Sequence, residues 1–559
     1  MPDGRPTARP TDARAPFGLL RRHVGLVVVL VAGLALRIAM MVAYPPALWF
    51  QGDSGTYLRH SAEWPAMPAR WTYPWLLKAF EWTGTVASVV ALQHLAGLAL
   101  GVASYLLLRR LGVGPWPATL AATPILLDAT QLTLEQYLLT ETLFTTALAV
   151  AALLLVRRER PGTLAALGAG VAVALAMATR PTGVIAVGAL LLFLLVRWRG
   201  WRAPAAYLLG IAVFFGAAFA GIGTVKGALG LEGGKFLYGR TAQIADCDRL
   251  ELRPGLRKLC PTQPLDQRPA RPDWFIWNRD SPIRNAERPE DLDEFAREVL
   301  RQQPGDYLAA AASDTARYFW PTPLAPTESC LATWWRPQPA PTNWAADYDC
   351  VPRTAGPDYQ WRPAPSQDVE PNAASRFLHA YGRYGVTPPP VLAAMVLLAL
   401  VGAVWPRRGR LRLSLIALLY AGIGLGIMVF SVATSMFELR YGLPALAFLP
   451  IAAALGWQRL RSTPHPTDRP TPADGEPVGP TPADGKSVGR TPADGKPHGL
   501  TPADGKPHGL TPTGEDPHGP TPADGEPERP ASTTAESNGD HDERTGDRGH
   551  GASAVPQRG

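Results

Sequence analysis

Long apolar runs separated by short polar links fill most of the chain between residues 23 and 460. The runs are Val24–Tyr44, Val86–Leu108, Trp116–Leu132, Gln136–Val156, Thr163–Ala178, Val184–Val196, Tyr207–Val225, Val391–Trp405, Leu413–Val432 and Tyr441–Trp457. Most are long enough to cross a hydrocarbon layer of roughly 30 Å. Ten membrane-spanning helices are therefore expected, in an all-α polytopic membrane protein. Helix is the natural state for such runs because lipid offers no partner for an unsatisfied backbone group. Trp116–Leu132 and the two runs flanking Arg180 are the weakest members, since one broken helix there alters the count.

Basic residues set the orientation, because Lys and Arg near short loops stay on the cytoplasmic side. Placing the N-terminus inside puts Arg21/Arg22, Arg109/Arg110, Arg157/Arg158/Arg160, Arg197/Arg199/Arg202, Arg407/Arg408/Arg410/Arg412 and Arg459/Arg461 on that side together. Both termini are then cytoplasmic. The outer side receives the polar loop around Asp53, the link Asp128–Glu135, the turn Thr179–Gly183, a large loop from about Lys226 to Pro390, and the link Ser435–Arg440. Basic residues ahead of the first run imitate a secretory signal, but that run is too long and lacks a small-residue cleavage pattern, so it reads as an uncleaved span. The sequence pI of about 9.3 belongs mostly to this ladder of arginines, and no nucleic-acid motif accompanies it.

The 4 cysteines, Cys247, Cys260, Cys330 and Cys350, all fall in the large loop. An even set confined to an exported segment reads as two disulfides formed in an oxidising compartment. Sequence allows three connectivities, of which Cys247–Cys260 with Cys330–Cys350 closes the shortest loops. No Cys-x-x-Cys pair or neighbouring His supplies zinc spacing. Within the same loop, Glu287–Trp320 patterns as two amphipathic helices broken at Gln303-Pro304-Gly305, with Leu292, Phe295, Val299 and Leu300 on one face. After the break, Tyr307, Ala311, Ala312, Ala316 and Phe319 continue a packing face. Trp274, Trp277, Trp320, Trp334, Trp335, Trp344 and Trp361 surround them. Their irregular spacing suits interfacial anchors better than a sugar-stacking groove.

Composition changes after Arg461. Residues 471–530 repeat a ten-residue unit, TPADGEPVGP, TPADGKSVGR, TPADGKPHGL twice, TPTGEDPHGP and TPADGEPERP. Pro and Gly at this density, with nothing apolar to bury, cannot offset the entropy of ordering, so a disordered low-complexity tail is expected. The expected layout is a cytoplasmic lead (1–22), a membrane module (23–225), an inserted extracytoplasmic domain (226–390), the last membrane helices (391–460) and the tail (461–559).

Several short motifs sit at the outer ends of the spans. The first is Gly52-Asp53-Ser54-Gly55-Thr56-Tyr57, straight after span one. Others are Gln93-His94-Leu95-Ala96-Gly97-Leu98 running on to Tyr105–Gly112, Leu138-Leu139-Thr140-Glu141-Thr142-Leu143-Phe144, Ala178-Thr179-Arg180-Pro181-Thr182-Gly183, and Glu438-Leu439-Arg440-Tyr441-Gly442-Leu443-Pro444. In order and placement the set resembles the multi-spanning C-type (GT-C) glycosyltransferases, in particular bacterial relatives of the protein O-mannosyltransferases and aminoarabinose lipid A transferases. The resemblance covers roughly residues 23–225 and 388–457. It implies a transferase that moves a sugar from a polyprenyl-phosphate carrier to an envelope glycan, lipid or protein acceptor on the outer face of the plasma membrane.

Such chemistry needs a base for the acceptor hydroxyl, and Asp53 is the carboxylate best placed to serve. Its competing structural role is a helix N-cap ahead of Ser54. The leaving phosphate needs cationic donors, and Arg180 and Arg440 stand at outer span ends where a lipid phosphate would lie. Snorkelling to headgroups is their bland alternative. Arg37, inside span one, and His60 are weaker candidates. The resemblance also implies a second acidic residue serving the acceptor or a divalent metal, matched here by Glu141 or Glu135, with Asp128 further off. A paired Asp-Glu motif is missing and no ligand cluster has metal spacing, so no cofactor is firmly expected. The alternatives from other classes are a non-enzymatic transporter of lipid-linked or small solutes and an envelope-assembly scaffold. A transporter should show an internal repeat or helices broken at the bilayer midplane, and neither is legible.

Overall fold

A computed structural model describes residues 15–63, 71–197, 200–222, 234–321, 333–339, 353–354, 371–405 and 411–461. Cys330, Cys350, Trp344, Trp361 and the decapeptide repeats lie outside the described residues. The first helices in chain order are α1 (Ala15–Ala43), α2 (Gln51–Ala62), α3 (Thr72–Phe80), α4 (Ala87–Arg110), α5 (Pro115–Leu127), α6 (Ala129–Gln136), α7 (Glu141–Val156), α8 (Thr163–Thr179), α9 (Val184–Arg197) and α10 (Arg202–Ile222). The later part carries α11 (Lys235–Ile244), α12 (Pro254–Arg257), α13 (Trp274–Trp277), α14 (Pro289–Gln302), α15 (Pro304–Ala316), α16 (Ala373–Gly382), α17 (Pro389–Val404), α18 (Leu411–Thr434) and α19 (Leu443–Arg461).

The protein is mostly helical. Among the described residues, 5 helical segments are long and apolar enough to cross a membrane: His23–Ala43, Ala87–Arg110, Arg202–Ile222, Leu411–Thr434 and Leu439–Arg461. Shorter apolar helices are Glu141–Val156, Thr163–Thr179, Pro181–Arg197 and Pro389–Val404. The last long segment is enclosed by its neighbours over 78% of its most apolar window, whereas Arg202–Ile222 is enclosed over only 17% and presents Leu208, Leu209, Val213 and Phe219 outward. An apolar outward face is what a lipid solvent requires.

Two of the expected spans differ from the helices observed. Trp116–Leu132 is broken at Asp128, whose backbone is extended (φ −60°, ψ 128°), and α6 begins immediately after it. The carboxylate of Asp128 accepts from the amides of Thr130 (2.8 Å) and Gln131 (3.3 Å), an N-cap that makes a new helix start more favourable than continuation. Gln136–Val156 likewise divides: Tyr137 is extended and α7 starts only at Glu141.

Helix contacts rely on glycine, since in lipid close approach replaces the hydrophobic effect as the driving force. A Cβ on Gly170 of α8 would lie 2.0 Å from the Tyr207 carbonyl of α10, and one on Gly210 would lie 2.2 Å from the Leu167 carbonyl. Gly402 of α17 and Gly456 of α19 form the same kind of contact, 2.3 Å from a Gly402 Cβ to Gly456 Cα.

The segment between α10 and α16 has its own core, in which Tyr238, Leu259, Phe275, Phe295 and Val299 pack around the Cys247–Cys260 disulfide. The two amphipathic helices form as α14 and α15, parted at Gln303. In α14 the buried apolar positions are Leu292, Phe295, Ala296 and Val299, with Leu300 half-buried and the carboxylate-bearing Asp291 buried beside them. In α15 and the turn after it the expected face is wrong in part: Ala311 is buried and Tyr307 and Phe319 are half-buried, but Ala312 and Ala316 are exposed, and Tyr318 is buried instead. Trp334 and Trp335 are core residues, not interfacial anchors, whereas Trp277 and Trp320 are exposed.

Candidate functional site

Local pairing of the chain at residues 48–54 brings two helix N-termini together. Leu48 and Trp49 form a short strand, β1, antiparallel to β2 (Arg353–Thr354), and the Leu48 carbonyl accepts from the Leu138 amide at 3.2 Å. Ser54 completes the junction. Its hydroxyl accepts from the Phe50 amide (2.9 Å) and donates to the Leu138 carbonyl (3.0 Å). The start of α2 is thereby tied to the residues that lead into α7. Asp53 falls in the first turn of α2 and Glu141 in the first turn of α7, where the positive ends of the helix dipoles favour carboxylate anions.

Asp53 is not the N-cap. The cap residue of α2 is Phe50, and Asp53 stands three positions inside. Its Oδ2 instead accepts from Arg440 Nη1 at 2.8 Å, across 387 residues of chain. The same Nη1 lies 3.6 Å from Glu141 Oε1, and Arg180 Nη1 donates to that oxygen at 2.5 Å. Asp53, Glu141, Arg180 and Arg440 are thus one group of two carboxylates and two guanidinium groups.

Both arginines are delivered by the same kind of turn. α8 stops at Thr179 because Pro181 disfavours helical geometry at the residue before it; Arg180 is extended (φ −147°, ψ 126°) and a 3₁₀ turn, Pro181–Gly183, follows. After α18 the chain repeats the shape, with Glu438 extended (φ −149°, ψ 127°) ahead of the 3₁₀ turn Leu439–Gly442 that carries Arg440.

Aromatic rings enclose the cations. The Arg440 guanidinium carbon is 4.6 Å from the Phe50 ring centroid, 5.3 Å from Tyr441 and 5.4 Å from Trp335. The Arg180 guanidinium carbon lies 4.8 Å from the Tyr441 ring centroid. Rings at these distances attract a guanidinium and shield it from water. Glu141, Arg180, Thr182, Ser431, Arg440 and Tyr441 line a cavity of about 10 Å³, room for roughly one water. Among the described residues, the buried Nε of Arg440, Oε2 of Glu141 and hydroxyl of Thr182 find no hydrogen-bond partner. Groups of this kind mark a site whose polar capacity is not used up by the fold.

The remaining candidates lie elsewhere. Glu135 is fully buried, and both of its oxygens are occupied: Oε1 by Arg37 Nη2 (2.8 Å) and Gln131 Nε2 (2.7 Å), Oε2 by Arg37 Nε (2.8 Å) and His94 Nδ1 (2.8 Å). Arg37 also donates to the carbonyls of Gly33, Ile125 and Leu126, and His94 Nε2 meets Gln136 Oε1 at 2.8 Å. A Cβ on Gly97 would lie 1.9 Å from Glu135 Oε1, so α4 admits this carboxylate only where it carries a glycine. Asp128 is spent on the N-cap of α6 and, through Oδ2, on the Thr387 amide at 2.5 Å. Of the three acids named for a second acidic position, Glu141 is the one that stands beside Arg180 and Arg440. His60 sits in the last turn of α2, half-exposed.

Sequence reasoning passed over Phe50, Trp335, Tyr441 and Glu438 as parts of the site. The spacing Glu438-x-Arg440 was visible, but nothing local ties Trp335 to it. In the four-residue group each carboxylate is paired with a guanidinium. No group of three or more His, Cys, Asp or Glu side chains with metal-binding placement occurs among the described residues. No protein-family model matches the chain, and no curated protein matches it.

Proposed function

We propose that the protein is an integral membrane glycosyltransferase of the GT-C type. It would transfer a sugar from a polyprenyl-phosphate carrier to an envelope acceptor at the outer face of the plasma membrane, with ten spans and both termini in the cytoplasm. The observation that carries this reading is the convergence of Asp53, Glu141, Arg180 and Arg440 from four separate helix ends, with exposed edges on Asp53 (21%) and Arg180 (18%). An ionisable group at the end of a membrane helix is a functional hypothesis by default, and here four of them meet.

The chemistry balances within this group. The acceptor hydroxyl oxygen attacks the anomeric carbon of the donor, its proton passes to Asp53, and the bond between that carbon and the phosphate oxygen breaks with its electron pair going to the phosphate. The configuration inverts. The products are the glycosylated acceptor and a polyprenyl monophosphate. Protonating Asp53 removes one negative charge from the cluster as the phosphate gains one, so Arg180 and Arg440 meet the growing charge where it develops. A donor phosphate would also compete with Asp53 Oδ2 for Arg440, leaving the carboxylate free to accept a hydrogen bond from the acceptor hydroxyl.

Asp53→Asn tests the proposal. It keeps the size but cannot take a proton. Transfer from a polyprenyl-phosphate hexose in reconstituted membranes should fall by about 10²-fold or more, with expression and thermal midpoint nearly unchanged. Unimpaired transfer would sink the mechanism.

A further inference from the structure

Arg440 is held from the segment between α10 and α16 as well as from the membrane helices. Glu438, two residues before it, is buried, and its two carboxylate oxygens serve different elements. Trp335 Nε1 donates to Oε1 at 2.6 Å, and Arg271 Nη2 donates to Oε2 at 3.0 Å. The carbonyl of Glu438 accepts from the buried Tyr318 hydroxyl at 2.8 Å. Arg271 is itself steadied by Asp273, 2.8 Å away. Trp335 acts twice: the indole that grips Glu438 also presents its ring to the Arg440 guanidinium, and it packs on Phe50 at 5.2 Å between centroids.

Consider what Arg440 would do without these contacts. A long, flexible arginine side chain loses rotamer entropy when it is fixed. An unpaired Glu438 on the same short segment would compete with Asp53, Glu141 and any bound anion for the guanidinium. Arg271 removes that competition by neutralising Glu438. Tyr318 and Trp335 fix the backbone and the stacking face. Preorganisation of this kind raises affinity by reducing the ordering cost at binding.

We propose that Glu438, clamped by Arg271, Trp335 and Tyr318, is a positioning residue for Arg440 as a lipid-phosphate ligand, making the segment between α10 and α16 a working part of the transfer site. The inference rests on the reading of Arg440 given under Proposed function. The test uses the full-length protein in nanodiscs and compares binding of a polyprenyl monophosphate with binding of the matching polyprenol, which has the chain but no anion. Wild type should favour the phosphate. Glu438→Ala should lower that preference about tenfold while polyprenol binding holds, because only the anion's contacts are disturbed. Glu438→Gln keeps an acceptor for Trp335 but no charge for Arg271, and should lie between, at about threefold.

A general loss of folding would lower both ligands together and leave their ratio alone. An unchanged ratio in Glu438→Ala, beside a collapsed one in Arg440→Gln, overturns the positioning role and leaves the glycosyltransferase reading standing. An unchanged ratio in Arg440→Gln overturns the phosphate-ligand reading itself. Should Glu438→Ala fail to fold, Glu438→Gln and Trp335→Phe decide the matter, and wild-type ratios in both count against the proposal.

Discussion

Two ionic clusters are built into the membrane helices, and their difference separates architecture from chemistry. In the Arg37–Glu135–His94 cluster every carboxylate oxygen has two donors, and the Arg37 and Glu135 side chains are 2% and 0% exposed. In the Asp53–Arg440–Glu141–Arg180 cluster one arginine nitrogen is shared between two carboxylates, buried Nε and Oε2 atoms find no partner among the described residues, and an edge is open. The closed cluster joins α1, α4 and α6 and leaves neither oxygen of its carboxylate without donors, the neutral Gln131 Oε1 alone among its buried side-chain atoms lacking a partner among the described residues. The open one retains an unpaired donor on Arg440 and an unpaired acceptor on Glu141. Buried charge alone therefore does not mark a site; incomplete satisfaction of that charge does.

Breaking the closed cluster should give the largest effect on stability. Arg37→Met leaves Glu135 buried without its main counter-charge, and the loss should be about 3–5 kcal/mol, read from the unfolding midpoint in detergent. Arg37→Met combined with Glu135→Leu should recover most of it, since the lone charge is the cost. A mild effect of Arg37→Met would remove the distinction drawn between the clusters. The counterpart in the open cluster is Asp53→Asn, where activity falls by about 10²-fold and stability hardly moves.

A smaller effect sharpens the comparison further. Arg180→Lys keeps the charge but loses the planar fork and the stacking on Tyr441. Transfer should fall about tenfold, the worth of roughly one charge-assisted hydrogen bond, with the unfolding midpoint within a degree or two of wild type. A stability loss matching that of Arg37→Met would place Arg180 with the structural charges instead.

The smallest effect lies outside the membrane body. Hydrogen bonds from Arg253 and then Arg288 hold the Asp291 carboxyl at about 2, below the ordinary unfolded value of about 3.9. The pairing therefore contributes stability that is full above about pH 4 and lost as pH falls towards about 2. Glu294, Glu287 and Glu298 are shifted down as well, the first two chiefly by hydrogen bonds from Arg253 and Lys258 and the third by Arg301. Thermal midpoints recorded between about pH 5 and pH 2.5 should fall, and more shallowly in Asp291→Asn than in wild type.

Much of the protein was legible from one dimension. Apolar runs located the long helices, the Pro304 break located the junction of α14 and α15, and the short spacing of Cys247 and Cys260 identified their disulfide. Asp53, Arg180 and Arg440 could be selected because each is a charge at the end of an apolar run, a property that composition and periodicity register directly. Tertiary structure alone decided which acid joined them. Glu135 and Glu141 are six residues apart, but the extended break at Tyr137 resets the direction of the chain between α6 and α7. One carboxylate is consequently sealed against Arg37 and the other faces two arginines. The same holds for Trp335 and Glu438, 103 residues apart and joined by a single hydrogen bond. Local pattern determines what a segment prefers to be; the rotation and depth of one helix against another decide which charges meet, and those depend on contacts that no short stretch of sequence contains.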